Sequence, residues 1–366
     1  MRLLYLTDRL SDRGGADHHL SQVVRSSIAA GHRVTIGFGR DERGGERLDG
    51  VEIHRVRGLA SRVDSASGLK DLQGLLDAAD LVHMQNVMNP TAMRAAAAHD
   101  HLVVTVQDHR VFCPGPGKRL PDGAACREVM SDDVCRTCLP DAVYRRSTLD
   151  LTRQRLAAVE SATLVVLSRY MADELARVGR SDAAVVPPWV GPGPPRETPG
   201  SGFVLGGRLV DHKGVVDGWR AWCLAGRVQP LVVAGSGPLA DALDGADRRG
   251  WLTSAELHRV LAGARALLFP SRWQEPFGML GVEALAWGTP VVVADSGGTT
   301  DWSGAGCLHV PVGDVAAMAD AIRRLAADPD LAAELGRRGH ASVATTYSRR
   351  RIEPRLHELY RRAGEA

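Results

Sequence analysis

Two acidic residues in the C-terminal half, Glu275 and Glu283, lie eight positions apart on either side of a glycine turn. The turn is at Gly278, and the helix-forming run MLGVEALAW follows it directly. A glycine turn that opens a helix presents backbone N–H groups and a partial positive charge, which suit a phosphate. The phosphate would repel a carboxylate that touched it, so hydroxyl groups on either side of the phosphate are the better partners. The segment therefore predicts a phosphate site between a sugar and a ribose, with two solvated glutamates as the alternative.

Two cations come earlier in the same half, in the segment GGRLVDHKG. Arg208 follows a predicted strand, and Lys213 comes five residues later. A departing diphosphate develops negative charge, which fixed cations stabilise better than water does. Here the arginine would act as a planar fork and the lysine as a point charge. On spacing alone, the alternative is that both are ordinary surface charges.

The segment from 275 to 298, EPFGMLGVEALAWGTPVVVADSGG, resembles the donor-binding signature of the family 4 retaining glycosyltransferases. The resemblance covers nearly the whole chain, and this family has two Rossmann-like domains in the GT-B arrangement. It implies that Glu275 contacts hydroxyl groups of the transferred sugar and that Glu283 holds the ribose. It also implies that Arg208 and Lys213 clamp the phosphates of a nucleotide diphosphate sugar. The residues that would line the donor site are Phe277, Gly278, Met279 and Leu280.

Two further glycine turns fit the same resemblance. The segment AGSGP contains Gly235 and Gly237 and resembles the loop beneath the nucleotide, although such turns often only permit tight packing. The segment RGGADHHL contains Gly14 and Gly15, where the backbone can approach donor phosphate or acceptor closely. A plain tight turn, with Asp17 as a helix cap, is the alternative. The nucleotide base is expected close to four residues: Arg249, Gly250, Trp251 and Leu252.

A loop of the N-terminal half, VTVQDHRVFCPGPGK, follows a predicted strand and is the expected place for acceptor-side or sugar contacts. Many relatives carry a His-Asp pair here, whereas this chain has Gln107 at the histidine position, followed by Asp108 and His109. Asp108 and His109 are the candidates for such contacts, with a structural role as the alternative. No carboxylate of these motifs is clearly placed as a covalent nucleophile. We therefore expect front-face displacement, in which the acceptor attacks from the side that the diphosphate leaves.

Four of the six cysteines crowd into one loop that is predicted to have little secondary structure. Long loops without a hydrophobic core of their own need a cross-link, such as a disulfide or a bound metal, to stabilise them. The closing CxxC favours a structural zinc ion, although the first two spacings match no standard zinc module. Two disulfides or free thiols are the alternatives. The candidate metal ligands are Cys113, Cys126, Cys135 and Cys138.

The site residues depend on strands and helices that alternate along the chain. Short runs rich in Val, Leu and Ile alternate with amphipathic stretches, and this pattern, which favours parallel strands joined by crossover helices, appears twice. We therefore predict an α/β fold of two Rossmann-like doubly wound domains that face each other across a cleft. The predicted divisions are an N-terminal acceptor-side domain at 1–188, a linker at 189–202, a C-terminal donor domain at 203–346 and a terminal helix at 347–366. That helix should kink at Pro354 and pack back on the N-terminal domain.

Length, composition and charge narrow the classes of protein. The 366 residues exceed the size at which one hydrophobic core usually stops growing, and a formal net charge of +2 gives no reason to expect a nucleic-acid partner. No window approaches the ~20 apolar residues that cross a bilayer, and the opening MRLLYLTDRL lacks the apolar stretch of a signal peptide. We expect a cytoplasmic protein with at most peripheral membrane contact. We expect no redox cofactor, and the oligomeric state stays open.

Two other functions share some of these features. A non-hydrolysing sugar-nucleotide epimerase would have the same two-domain architecture, but it needs acid and base carboxylates beside the sugar ring. Glu275 is the only candidate for such a group. A non-catalytic protein that binds a nucleotide sugar is supported by Gln107 alone, since both motif glutamates and both cations are present.

Overall fold

The structure is a computed structural model that describes residues 1–43, 49–196, 198 and 200–365. Residues 197 and 199 of the predicted linker, 366 of the predicted terminal helix and 44–48 of the predicted N-terminal domain lie outside the described residues. The chain forms two compact units. The first consists of Met1–Pro187 together with Glu353–Ala366, and the second consists of Pro188–Ile352.

The first unit is built on a parallel sheet. Within its described residues the sheet has seven strands in the order β3-β2-β1-β4-β5-β6-β7. The central strands are buried almost throughout, because helices cover both faces of a parallel sheet, and they read as continuous apolar runs such as LVVTV. The strands are β1 (Arg2–Leu10), β2 (Arg33–Asp41), β3 (Val51–Arg55), β4 (Leu81–Gln85), β5 (Leu102–Val106), β6 (Thr163–Val166) and β7 (Ala184–Val185).

Four of the six α-helices in the described part of the first unit begin at polar caps that the sequence places just before them. The side chains of Asn89, Asp141 and Ser168 each accept a hydrogen bond from a backbone N–H of the first turn that follows. The α-helices in the described part of this unit, capped or not, are α1 (Gly15–Ala29), α2 (Leu72–Asp77), α3 (Pro90–Ala97), α4 (Asp132–Cys135), α5 (Ala142–Ala158) and α6 (Arg169–Arg177).

The second unit repeats the plan with a parallel sheet in the order β10-β9-β8-β11-β12-β13 among its described residues. One edge strand was not predicted, because its residues DRRG are polar and exposed and lack the apolar run of a buried strand. The strands are β8 (Phe203–Gly206), β9 (Leu231–Ala234), β10 (Asp247–Gly250), β11 (Ala266–Phe269), β12 (Val291–Ala294) and β13 (Cys307–Val310). The helices are α7 (Val215–Leu224), α8 (Ser254–Gly263), α9 (Met279–Ala286), α10 (Val315–Ala327) and α11 (Pro329–Thr346).

A last helix, α12 (Arg349–Glu365), runs through Pro354, which is its sixth residue. The C-terminal part of α12 packs on the first unit through buried polar contacts. The hydroxyl of Tyr360 lies 2.9 Å from the hydroxyl of Tyr5 and 2.6 Å from Nδ1 of His83. Within the described part of the chain, no helix combines the length and the apolar character that a membrane span requires.

Candidate functional site

Glu275 is the centre of the candidate donor site in the second unit. It is only 3% exposed, and both of its carboxylate oxygens accept hydrogen bonds from Nζ of Lys213, at 2.7 and 2.9 Å. The hydroxyl of Ser271 donates a further hydrogen bond to Oε1 at 2.6 Å. A buried carboxylate is costly unless it is paired and hydrogen-bonded. The structure therefore brings together the glutamate and the lysine that the sequence places 62 positions apart.

Lys213 is held on its other side by an aromatic ring. Its Nζ lies 4.7 Å from the centroid of the Trp273 ring, within the range of a cation–π contact. The backbone N–H groups of Arg272 and Trp273 both donate to the carbonyl of His212, at 3.0 and 2.9 Å. Gly214 adopts φ +65° where the chain enters α7, and a Cβ there would lie 1.9 Å from the carbonyl oxygen of Pro270. The loops after β8 and β11 are thus joined backbone to backbone, and this contact fixes the position of the lysine.

Sequence reasoning missed Ser271 and Trp273, although both lie in the segment PSRWQEPFG directly before the glutamate motif. It also missed the ion pair between Arg272 and the buried Asp217 of α7, in which the second guanidinium nitrogen lies 2.6 Å from the carboxylate. The signal that could have identified these residues in the sequence was their position directly after a predicted strand. Ser271, Arg272 and Trp273 follow β11, at the carboxyl end of a parallel strand, where such sheets bind ligands.

Helix α9 starts next to Glu275 with Gly278 in a left-handed conformation, at φ +89° and without a side-chain cap. Two contacts fix this turn. The indole Nε1 of Trp302 donates to the carbonyl of Phe277 at 2.6 Å, and the N–H of Gly298 donates to the carbonyl of Glu275 at 2.6 Å. The turn opens the helix as expected for an anion site, because the first N–H groups of a helix have no partner within it.

The residues expected to line the donor site differ in where their side chains go. Phe277 is buried, and its ring packs edge-on against Tyr347 with centroids 5.5 Å apart, so only its backbone is placed to face a ligand. Met279 and Leu280 are half-buried in the first turn of α9, and Glu283 is half-buried one turn further on.

The two glycine loops of this unit pack against each other. A Cβ at Gly235 would lie 1.9 Å from the carbonyl oxygen of Gly207, and a Cβ at Gly237 would lie 2.5 Å from that of Leu209. Backbone packing alone is therefore enough to require both glycines. Between the two contacted residues lies Arg208, which is exposed and whose side chain has no hydrogen-bond or ion-pair partner among the residues that the structure describes.

The region expected to receive the base is the end of β10 and the loop behind it. Arg249 lies on this edge strand and forms an ion pair with Asp247 at 2.8 Å. Gly250 ends the strand at φ +68°, and Trp251 and Leu252 follow it half-buried.

In the first unit, the RGG turn opens α1 with Gly14 at φ +136°, directly before Gly15. Asp17 does not cap the helix as the sequence suggested. Its buried carboxylate instead accepts two hydrogen bonds from the guanidinium of Arg9, at 3.3 and 3.0 Å. Burial raises the pKa of Asp17, and the contact with Arg9 only partly offsets that rise. The turn therefore connects β1 and α1 through a partly buried ion pair.

The QDH loop after β5 differs from expectation at His109. This residue is 1% exposed, its Nε2 lies 3.0 Å from the hydroxyl of Tyr170, and its ring packs against Phe112, so it is not placed to contact a ligand. Asp108 caps the short turn His109–Val111 and pairs with Arg110 at 2.8 Å. Burial alone would raise the pKa of Asp108, but the attraction of Arg110 outweighs it and leaves that pKa below its usual range.

Gln107, which stands at the position of the histidine in the His-Asp pair of many relatives, belongs to a buried polar network. Its Nε2 donates to Oε1 of Gln85 at 2.8 Å and lies 2.9 Å from Nδ1 of His19. Gln85 in turn lies 3.4 Å from Nε2 of His83, which contacts Tyr360. Burial lowers the pKa of His19 to about 4 and that of His83 to about 3, so both rings are neutral at pH 7.

The expected zinc site is not supported. No three His, Cys, Asp or Glu side chains among the described residues come together in a group that could hold a metal ion. All six cysteines, including Cys113, Cys126, Cys135 and Cys138, carry free thiols. The loop is anchored by other means, since Lys118 within it forms a buried ion pair with Glu174 at 2.9 Å.

Comparison with known proteins finds a family match within the second unit. Residues 201–328, less than half of the chain, match the family model described as "Glycosyl transferases group 1". The chain is 30% identical to the glycogen synthase of Mycobacterium tuberculosis over 172 residues, which are 42% of this chain and 41% of that protein. It is 39% identical to the D-inositol 3-phosphate glycosyltransferase of Saccharomonospora viridis over 111 residues, 30% and 25% of the two chains. The chain thus matches about two fifths or less of the length of these curated relatives.

Solved structures match along nearly the whole chain. The sucrose-phosphate synthase of Thermosynechococcus elongatus matches with a TM-score of 0.71 at 20% identity, over 99% of this chain and 98% of that chain. The Anabaena protein HepE, solved in complex with UDP, matches with a TM-score of 0.70 at 16% identity, over 99% and 100%. These likenesses, together with the two parallel sheets, confirm the predicted α/β fold class with two Rossmann-like domains.

Proposed function

We propose that the chain is a retaining glycosyltransferase of the family 4 type, which moves a sugar from a nucleotide diphosphate sugar to an acceptor. The observation that carries this proposal is the direct contact of Lys213 with Glu275, 2.7 Å long, beside the glycine turn that opens α9. A cation, a hydroxyl-binding carboxylate and a helix start meet at the carboxyl end of one sheet. This combination suits a diphosphate attached to a sugar, because the cation and the helix start favour the anion and the carboxylate accepts hydrogen bonds from hydroxyl groups.

The proposal assigns each group one task. The start of α9, Lys213 and the exposed Arg208 hold the diphosphate and stabilise the charge that develops on it as it leaves. Glu275 accepts hydrogen bonds from hydroxyl groups of the transferred sugar, and Glu283 does the same for the ribose. In the free protein Lys213 neutralises Glu275, so donor binding replaces part of that ion pair with contacts to phosphate and hydroxyl groups.

The proposed reaction is a front-face displacement. The acceptor hydroxyl oxygen forms a bond to the anomeric carbon on the face from which the diphosphate leaves. The bond between that carbon and the phosphate oxygen breaks, and a phosphate oxygen takes the acceptor's proton. The products are a glycoside with the anomeric configuration of the donor and a nucleoside diphosphate.

A nucleotide panel tests the donor site. UDP, GDP and ADP are compared for thermal stabilisation, since a ligand at ~100 times its dissociation constant stabilises by about 2.7 kcal/mol. Arg208→Gln should lose most of the effect, because it removes a cation that holds the diphosphate, and the fold should persist because Arg208 is exposed. Arg220→Gln, which removes an equally exposed arginine of α7, is the matched control and should keep it.

The reaction itself is tested with nucleotide sugars and NMR of the products. Glycoside of unchanged anomeric configuration is the expected result. Inverted glycoside would contradict retention, an epimerised donor would indicate the epimerase, and binding without any turnover would indicate the non-catalytic protein.

A further inference from the structure

The charges of Lys213 and Glu275 are committed to each other in the free protein. Nζ of Lys213 lies 2.7 and 2.9 Å from the two carboxylate oxygens, and no other cation of the described residues comes within ion-pair distance of Glu275. Within the same part of the chain, the one further partner of the carboxylate is the uncharged hydroxyl of Ser271, 2.6 Å from Oε1. Compensation of the buried charge therefore depends on a single lysine.

The two ends of this ion pair differ in their access to solvent. The side chain of Lys213 is 21% exposed, whereas that of Glu275 is 4% exposed. A ligand can therefore reach the ammonium group, while water has little access to the carboxylate. A buried carboxylate that loses its partner destabilises the state in which this happens. A ligand that attracts Lys213 must therefore donate hydrogen bonds to Glu275 in return, or bind against the cost of an unpaired charge.

The ring of Trp273 keeps Lys213 close to the site when the lysine leaves Glu275. Nζ lies 4.7 Å from the ring centroid, and the N–H of Trp273 donates to the carbonyl of His212 at 2.9 Å, so the ring is tied to the loop that carries the lysine. A cation–π contact requires the cation to lie over the ring but does not fix one donor direction. The ammonium group can therefore turn from the carboxylate to a phosphate and keep this contact.

A nucleotide diphosphate sugar and a nucleoside diphosphate present different groups to this ion pair. Both carry phosphate oxygens, which accept hydrogen bonds and attract Lys213. Only the nucleotide sugar also carries sugar hydroxyl groups, which can donate to Glu275 in place of the lysine. The nucleoside diphosphate leaves the carboxylate unpaired beside a second anion, and like charges repel each other. The ion pair thus opposes binding of the nucleoside diphosphate more strongly than binding of the nucleotide sugar.

We propose that the ion pair of Lys213 with Glu275 favours release of the nucleoside diphosphate product. Once the sugar has been transferred, Glu275 loses the hydroxyl groups that it held, pairs with Lys213 again and thereby removes a cation from the diphosphate. Glu275 thus makes the site select nucleotide sugars over the nucleoside diphosphate that shares their base and phosphates. The inference rests on the proposed function and concerns the regulation of the same site.

The test is the variant Glu275→Gln, whose carboxamide can still accept the hydrogen bond of Ser271 but no longer competes for Lys213. UDP, GDP and ADP are titrated calorimetrically into the full chain beside UDP-glucose, GDP-glucose and ADP-glucose. The variant should bind the diphosphate that the parent chain prefers at least about tenfold more tightly, because the freed ammonium group forms a charge-assisted contact with phosphate. The matching nucleotide sugar should change in affinity by less than about threefold, since the freed lysine is offset by a weaker contact to the sugar hydroxyls.

Asp211→Asn is the matched control. It removes the same charge from an exposed position on the loop that carries Lys213, and that lysine pairs with Glu275 and not with Asp211. The control should change the affinity for the diphosphate by less than about threefold, because exposed charges are well screened. Equal gains in the two variants, no gain in Glu275→Gln, or a gain for the nucleotide sugar as large as that for the diphosphate would overturn the inference.

Binding to the parent chain separates this inference from the proposed function. If the parent chain binds a nucleotide but Glu275→Gln does not tighten binding of the diphosphate, only the inference about release fails. If the parent chain binds none of these compounds at millimolar concentration, the donor site itself is misplaced and the inference fails with it.

Discussion

Removing the ammonium group of Lys213 should destabilise the second unit, because Glu275 would keep a buried charge without its main partner. The variant is Lys213→Met, which preserves much of the side-chain volume. Breaking a buried ion pair by removal of one partner costs about 3–5 kcal/mol. Here the lysine side chain is 21% exposed and that of the glutamate 4%, so water screens one end of the pair. We expect the lower end of the range, about 3 kcal/mol.

The other members of a double-mutant cycle sharpen the expectation. Glu275→Gln leaves the more exposed ammonium group unpaired and should cost only about 1 kcal/mol. The double variant has neither charge and should be less destabilised than the sum of the two single variants, with a coupling free energy of about 2 kcal/mol. Ser271→Ala, which removes one hydrogen bond to the charged carboxylate, should cost about 1.5 kcal/mol.

Tryptophan fluorescence provides the assay, because all seven tryptophans lie in the second unit. Urea unfolding followed by this signal therefore reports on the unit that contains the pair, whatever the first unit does. A Lys213→Met variant within 0.5 kcal/mol of the parent chain, or a double variant whose loss equals the sum of the single losses, would refute the reasoning.

Three further predictions concern packing, pH and the thiols. Gly281→Ala should destabilise the second unit by about 2–3 kcal/mol in the same fluorescence assay, because the new Cβ would lie 2.0 Å from the Trp302 ring; Gly263→Ala, at an exposed helix end with no atom within 4 Å, should change stability by less than ~0.5 kcal/mol. The pKa of His19 falls to about 4 in the folded chain, so the unfolded chain takes up the proton first and stability is lost as pH falls from about 6.5 towards 4. At pH 5 the loss relative to pH 7.5 should be about 2 kcal/mol, and His19→Gln should remove that part of the pH dependence measured by far-UV circular dichroism. All six cysteines should react with an alkylating reagent in urea without prior reduction, and mass spectrometry that finds fewer than six adducts would show that disulfides form.

The strands were predictable because burial on both faces of a parallel sheet leaves a continuous apolar run in the sequence. The strands β5 and β12 consist of such runs, LVVTV and VVVA, and each is buried throughout. The exception was β10, an edge strand whose residues DRRG face water. Its position depends on pairing with β9 and not on hydrophobicity, and no local pattern records that pairing.

Only those parts of the candidate site that lie within one sequence segment were predictable from residue spacing. Glu275, Gly278 and Glu283 share one segment, so their helical geometry follows from local rules. The contact of Lys213 with Glu275 joins two loops that are far apart in sequence, and the packing of Ser271 and Trp273 around it depends on tertiary structure. The same limit applies to His109, because its burial against Tyr170 is set by a helix 60 residues further along the chain.

In this chain, a charged side chain that has an oppositely charged partner is explained by the fold. A charged side chain without a hydrogen-bond partner is a candidate for ligand binding. The buried pair of Lys118 with Glu174, 2.9 Å long, satisfies both partners, and such a pair needs no ligand to explain it. Arg208 is different, since its side chain has no hydrogen-bond partner among the described residues. Gly235 and Gly237, which pack on the residues on either side of Arg208, are explained by backbone packing and are therefore no evidence for nucleotide binding. In the second unit Lys213 neutralises Glu275, so Arg208 is the charge beside them that no partner among the described residues compensates.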